Sequence, residues 1–192
     1  MSSDLNDIAE FWKSESSNKN SLTQLQRYEK NNAPEEIQQF ISLGGGAKMG
    51  TTLERYARFR FKNLEKREKG EGNTGHDQLI KLDTDKTILI EQKSSGHWKG
   101  KADEYKWQHI EKNHNWNMLL LCGIDYTDVK FWGMDRKTFD RLVLENKIII
   151  QGDKGGNSSQ GMWCMYSKIK DSLIEINTND QLIQFASSLQ SS

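Results

Sequence analysis

Two apolar runs separated by a short polar turn place the tightest constraint on how this chain can fold. Thr74-Gly-His-Asp-Gln-Leu-Ile80 leads through Asp83-Thr84-Asp85 into Thr87-Ile-Leu-Ile-Glu-Gln-Lys-Ser-Ser95. β-Branched and leucine residues on both sides of the turn predict a β-hairpin. Side chains alternate between the faces of a strand. Leu89, Glu91 and Lys93 therefore project to one side, and Ile88, Ile90 and Gln92 to the other. A turn of Asp83, Thr84 and Asp85 pairs Leu82 with Lys86 and sets Asp77 opposite Glu91. Carboxylates facing each other across two strands lie about 5 Å apart at Cβ and repel. A hard divalent cation bound through oxygen removes that repulsion, so the hairpin is expected to hold a metal.

The 192 residues are expected to form one domain, 1–192, with residues 1–45 an N-terminal helical portion. A helix is predicted over 22–30, and another from Pro34 through Ile37, Phe40 and Ile41, closed by Gly44-Gly45-Gly46. Leu53, Ala57, Phe61 and Leu64 recur at helical spacing over 51–67, with Glu54 beside that stripe. After the hairpin come a predicted helix over 101–114, a buried strand over 116–124 and a strand over 129–134. Asp135 can cap a helix whose Phe139, Leu142 and Val143 face inward. Short strands are expected at 148–150, 162–167 and 173–176, and a last helix follows Asn179-Asp180. This order predicts an α/β fold, a central mixed β-sheet flanked by helices.

The formal net charge is zero, so the overall basic signature of a nucleic-acid binder is missing. Positive residues are nevertheless segregated. Lys48, Arg55, Arg58, Arg60, Lys62, Lys66, Arg67 and Lys69 form one run, and Lys93, Lys99, Lys101 and Lys106 a second. Cys122 and Cys164 sit in apolar runs without paired-cysteine spacing, as buried free thiols in a reducing compartment do. No apolar run reaches the length of a membrane span, and the first residues lack the pattern of a signal peptide. The expectation is a cytoplasmic protein that does not engage a membrane.

Five tripeptides read acid-x-Lys: Glu91-Gln-Lys93, Glu104-Tyr-Lys106, Asp128-Val-Lys130, Asp135-Arg-Lys137 and Glu145-Asn-Lys147. Of these, Glu91 is the one that ends an uninterrupted sheet-centre run, Ile88-Leu-Ile90. An acid and a lysine leaving a central strand together are costly to bury unless paired or used. An exposed hairpin end closed by an ion pair is the plain structural alternative. With Asp77 on the first strand and Glu54 on the preceding helix, the arrangement over residues 50–135 resembles the PD-(D/E)xK nuclease superfamily, the fold of most type II restriction endonucleases. The resemblance implies a restriction-endonuclease-like fold with Glu54 as helix acid, Asp77 as hairpin acid, and Glu91 and Lys93 as the Glu-x-Lys pair. His76 stands where the superfamily's name has proline.

Phosphodiester hydrolysis requires charge neutralisation on the phosphate, an activated water and a stabilised leaving oxygen. The expected assignment has Asp77, Glu91 and the Gln92 carbonyl holding Mg²⁺, with Mn²⁺ able to substitute. Lys93 orients the water or stabilises developing charge. Ser94, Ser95, His97, Trp98, Lys99 and Lys101 follow the motif strand and combine small donors, cations and an aromatic, which suits DNA contact. Asn157, Ser158, Ser159 and Gln160 form a second loop of base-reading residue types. The expected function is Mg²⁺-dependent cleavage of double-stranded DNA at a short specific site, by a homodimer if that site is palindromic. The alternatives are a structure-selective or repair nuclease resembling a junction resolvase, and a non-catalytic DNA-binding module. Gly45-Gly-Ala-Lys-Met-Gly50 has phosphate-loop glycine spacing, but Thr51 occupies the lysine position and no strand precedes it. His97, His109 and His114 lack zinc-ligand spacing.

Overall fold

The computed structural model describes residues 23–44, 47–68, 75–83, 86–101, 104–151 and 161–189. Its elements in chain order are α1 (Gln24–Lys30), α2 (Glu35–Ser42), α3 (Ala47–Arg60), β1 (Glu65–Lys66), β2 (Gln78–Asp83), β3 (Lys86–Gly96), β4 (Lys106–Ile110), β5 (Met118–Ile124), β6 (Val129–Asp135), α4 (Arg136–Leu144), β7 (Ile148–Ile150), β8 (Met162–Met165), α5 (Tyr166–Ile169), β9 (Ile174–Glu175) and α6 (Asn179–Ser188). A six-stranded sheet has the order β1-β2-β3-β5-β6-β9, and a smaller sheet the order β4-β8-β7. The β3–β5 pair is parallel and the other pairs are antiparallel, so the large sheet is mixed.

β5 is buried along its whole length, as its unbroken apolar run demands of a strand covered on both faces. Its alternate residues enter two separate cores. Met118, Leu120, Cys122 and Ile124 join Ile88 and Ile90 of β3 beneath the helices that contribute Tyr28, Ile37, Leu53 and Leu182. Leu119 and Leu121 face the opposite way, into a core shared with Tyr105, Trp107, Phe139 and Cys164. The large sheet is thus the middle of three layers, with α1, α2, α3 and α6 on one side and the small sheet with α4 and α5 on the other. Both cysteines are buried and free, and no described helix is long and apolar enough to cross a membrane.

The hairpin register is the expected one from Gln78–Ile90 through Ile80–Ile88 to Lys81–Thr87. It shifts at Leu82, so that Asp83, instead of Leu82, pairs with Lys86. The one large departure is the segment expected to be a helix over 101–114. It forms β4, because burial there has a period of two: Tyr105 and Trp107 are buried while Lys106 and Gln108 are half-buried. His109, at φ 57°, breaks the ladder with β8 between Trp107 and Ile110, which lets Ile110 return to the core.

Smaller differences follow from capping and packing. α3 starts at Ala47 and stops at Arg60, while Phe61 and Leu64 stay buried from the turn that follows. Asp135 caps α4 as expected, its Oδ1 accepting from the Thr138 N–H at 2.5 Å. The last helix is capped one residue earlier than expected, by Thr178 in a capping box with Gln181. β8 ends at Met165, where α5 begins. Residues 1–22 and 152–160 lie outside the described residues.

Candidate active site

β2 begins opposite Ile90, whereas β3 runs on to Gly96. Past Ile90, β3 keeps β5 on one flank, and its other flank opens into a cleft. Asp77 occupies that fork. Its N–H donates to the Ile90 carbonyl at 2.9 Å, and its Oδ2 accepts from the Gln92 N–H at 3.0 Å. The N–H and C=O of one strand residue leave on the same flank, so the Gln92 carbonyl lies on the Asp77 side. Gly75, two residues before Asp77, packs against the backbone at His114 and Asn115. It adopts φ +83°, and a Cβ there would sit 2.7 Å from the Asn115 nitrogen.

Glu91 is 4% exposed, and its Oε1 lies 2.5 Å from the Lys93 ammonium. Burial raises its pKa and Asp77 raises it further, while Lys93 opposes both. Glu54, on α3, joins the same field. Burial and the Asp77 and Glu91 charges push it up to about 7, against the pull of Arg58 and Arg67. On the α3 side of the sheet, Arg58 donates to Gln78 Oε1 at 2.9 Å, and the Gln78 amide donates to Gln92 Oε1 at 2.5 Å. An arginine can only donate, so this chain sets the orientation of both amides. It leaves Gln92 Nε2 buried without a partner.

The cleft, about 580 Å³, is lined among others by Thr51, Glu54, Asp77, Lys93, Lys106 and Gln108. Among the described residues, no group of three or more His, Cys, Asp or Glu side chains is arranged to hold a metal. The oxygen donors nearest the fork are the Asp77 carboxylate, held by the Gln92 N–H, the Gln92 carbonyl on the same flank, and the Glu91 carboxyl, whose pKa Asp77 raises. That chemistry fits a hard divalent cation, and the upward push that Asp77 exerts on Glu54 and Glu91 is the repulsion such a cation relieves.

Glu54 carries a stability signature that can be measured. Its folded-state pKa lies above the usual 4.5, so the folded chain holds this proton more tightly than the unfolded chain does. Stability from the protonated form is complete below about 4.5 and is lost as pH rises through about 7. Glu54→Gln removes that loss. In thermal unfolding, the variant is expected to gain on the wild type between about pH 5 and pH 8. Parallel midpoints at the two pH values would show that Glu54 is an ordinary solvated acid.

The residues expected to contact DNA separate into distinct groups. Ser94 lines the cleft, Trp98 is half-buried, and Lys99 and Lys101 are exposed. Ser95 is buried and fully used, donating to the Gly96 carbonyl and accepting from the Lys106 N–H. His97, 2% exposed, is a core residue and cannot reach a groove. Its Nε2 is 2.9 Å from Asp125 Oδ1, its Nδ1 2.9 Å from the Lys101 carbonyl, and its ring stacks on Tyr126 at 4.2 Å. Asn157, Ser158, Ser159 and Gln160 lie outside the described residues.

Three arginines of the basic run are half-buried and bonded to the protein itself, while Lys48, Arg55, Lys62 and Lys66 are exposed. Arg58 serves Gln78, Arg60 donates to the Val129 and Asn177 carbonyls, and Arg67 donates to the His76 carbonyl. Lys106, read from sequence only as part of a basic run, and His109, read only as lacking zinc-ligand spacing, both reach the cleft. Reading Tyr-Lys-Trp-Gln as alternation, rather than as one turn of a helix, would have put Lys106 and Gln108 together on one face. No family model, no curated protein and no solved structure matches this chain.

Proposed function

We propose that this protein is a metal-dependent DNA endonuclease of the PD-(D/E)xK type, and specifically one that cuts double-stranded DNA at a short site as a type II restriction enzyme does. The observation that carries the reading is the convergence of Glu54, Asp77 and Glu91 in one electrostatic field at the fork between β2 and β3, with Lys93 against Glu91. Carboxylates brought together at such cost are best explained by use.

Asp77, Glu91 and the Gln92 carbonyl would hold Mg²⁺. When bound, the cation supplies charge neutralisation for the phosphate and lowers the pKa of an attacking water. Gln92 N–H keeps the Asp77 carboxylate from swinging away, its 3.0 Å bond fixing one oxygen. Lys93, on the cleft wall, is placed to orient water or stabilise charge on the reacting phosphate. Glu54, titrating at about 7, can take up a proton near neutral pH or complete the acidic shell. A palindromic site calls for two copies of this centre, hence a homodimer.

The test is incubation of the purified protein with unmethylated phage DNA in Mg²⁺, in Mn²⁺ and in EDTA. Discrete fragments in either metal and none in EDTA are expected. One observation favours a second reading, a DNA-binding module without catalysis: Lys93 already neutralises Glu91, as a structural ion pair would. Retarded but uncut DNA in both metals would select that reading over the first.

A further inference from the structure

Lys106 leaves β4 on the side away from the core, beside Gln108, because alternation sends Tyr105 and Trp107 inward. In the antiparallel ladder Lys106 lies opposite Met165, so Trp163, two residues before Met165 on β8, shares its face. The ammonium sits 4.5 Å from the Trp98 ring centroid and 4.4 Å from that of Trp163. Among the described residues no carboxylate pairs with it. Two aromatic faces restrict a lysine and attract its charge without cancelling it. A lysine left to solvent keeps its rotamer freedom and loses it when a ligand orders the chain. Lys106 has already been ordered by the fold. It lines the same cleft as Lys93, Asp77 and Glu54.

We propose that Lys106, clamped between Trp98 and Trp163, is a binding site for a phosphate of the substrate strand next to the one being cut. This rests on the nuclease reading, since it presumes a DNA strand in the cleft. Lys106 touches the strand, and the tryptophans are positioning residues that act through it. Such a contact explains how a chain of zero net charge holds a polyanion: a few un-neutralised cations are placed where the strand runs.

The test is fluorescence anisotropy of a labelled duplex oligonucleotide in Ca²⁺, titrated over a range of salt. Lys106→Met keeps the apolar stem between the rings and removes the charge. It is expected to weaken binding about ten-fold at low salt and to reduce the slope of log affinity against log salt by about one. Trp163→Leu should weaken binding about two- to five-fold with the slope preserved, and Trp163→Phe should restore it. Lys106→Met with wild-type affinity and slope overturns the proposal and leaves the nuclease reading standing. Weakened binding with an unchanged slope in Lys106→Met also overturns it, since a structural lysine behaves that way. A wild-type protein that binds no DNA at low salt removes both.

Discussion

Lys93→Met is expected to lower strand cleavage by about 10²- to 10⁴-fold, the range for losing a group that moves protons or stabilises charge in the transition state. DNA affinity in Ca²⁺ should stay within a few-fold of wild type, because one cation among several contacts is lost. The same substitution acts on the fold. Glu91, 4% exposed, lies 2.5 Å from the Lys93 ammonium, and the variant leaves this buried carboxyl without its partner. Breaking such a pair from one side costs about 3 kcal/mol or more. The double variant Glu91→Gln/Lys93→Met has no ionisable carboxyl left without its partner, so its unfolding midpoint should recover most of that loss while cleavage stays absent. Full cleavage by Lys93→Met would remove the catalytic assignment. A double variant no more stable than the single would show that the pair is not coupled.

His97→Ala should destabilise the protein by about 3 kcal/mol, a large part of its total stability, with no loss of DNA affinity in the fraction that remains folded. His97 joins three parts of the chain, two of them through its ring. Its backbone N–H donates to the Tyr28 hydroxyl on α1, its Nε2 meets Asp125 between β5 and β6, and its Nδ1 meets the carbonyl of Lys101 ahead of β4. Both ring nitrogens face acceptors, and Asp125 is held in turn by Lys130 and by the Tyr126 N–H. Burial works to raise the Asp125 pKa, but bonds from Lys130, His97 and Tyr126 outweigh it and hold the carboxyl below its usual range. Alanine leaves this carboxylate one donor short and opens a cavity beside Tyr28, Tyr105 and Tyr126. Denaturant unfolding compared with anisotropy on the same preparation separates the two roles. Lost affinity at unchanged stability would return His97 to the DNA-contacting set.

The hairpin was legible because its information is local. A period of two and a short turn are enough to decide which residue faces which, and the pairing of Gln78 with Ile90 follows from them. The same reasoning sets Asp77 opposite Glu91; in the structure the pairing begins at Gln78, and Asp77 meets β3 through the Ile90 carbonyl and the Gln92 N–H. The buried run Met118–Ile124 and the Asp135 cap were readable for the same reason. Lys106-Trp-Gln-His was not, since two aromatics two residues apart are compatible with a helix or a strand until something packs on them. What decided for a strand is the core that Tyr105 and Trp107 enter with Trp132 and Cys164, all distant in the chain.

Glu54 shows the same division. Its place beside the apolar stripe of α3 follows from helical period, yet its closeness to Asp77 and Glu91 depends on how α3 lies across the sheet. His97 and Lys106 belong to one basic, aromatic stretch of sequence, and the fold turns the first inward and leaves the second on the cleft. The sequence by itself determined the elements whose pattern repeats within a few residues: the hairpin, its acid and lysine pair, the apolar central strand. Only the tertiary structure decided what meets across layers. Burial and electrostatic reach depend on distances in space, and residues far apart in the chain carry no periodicity that announces where they will meet.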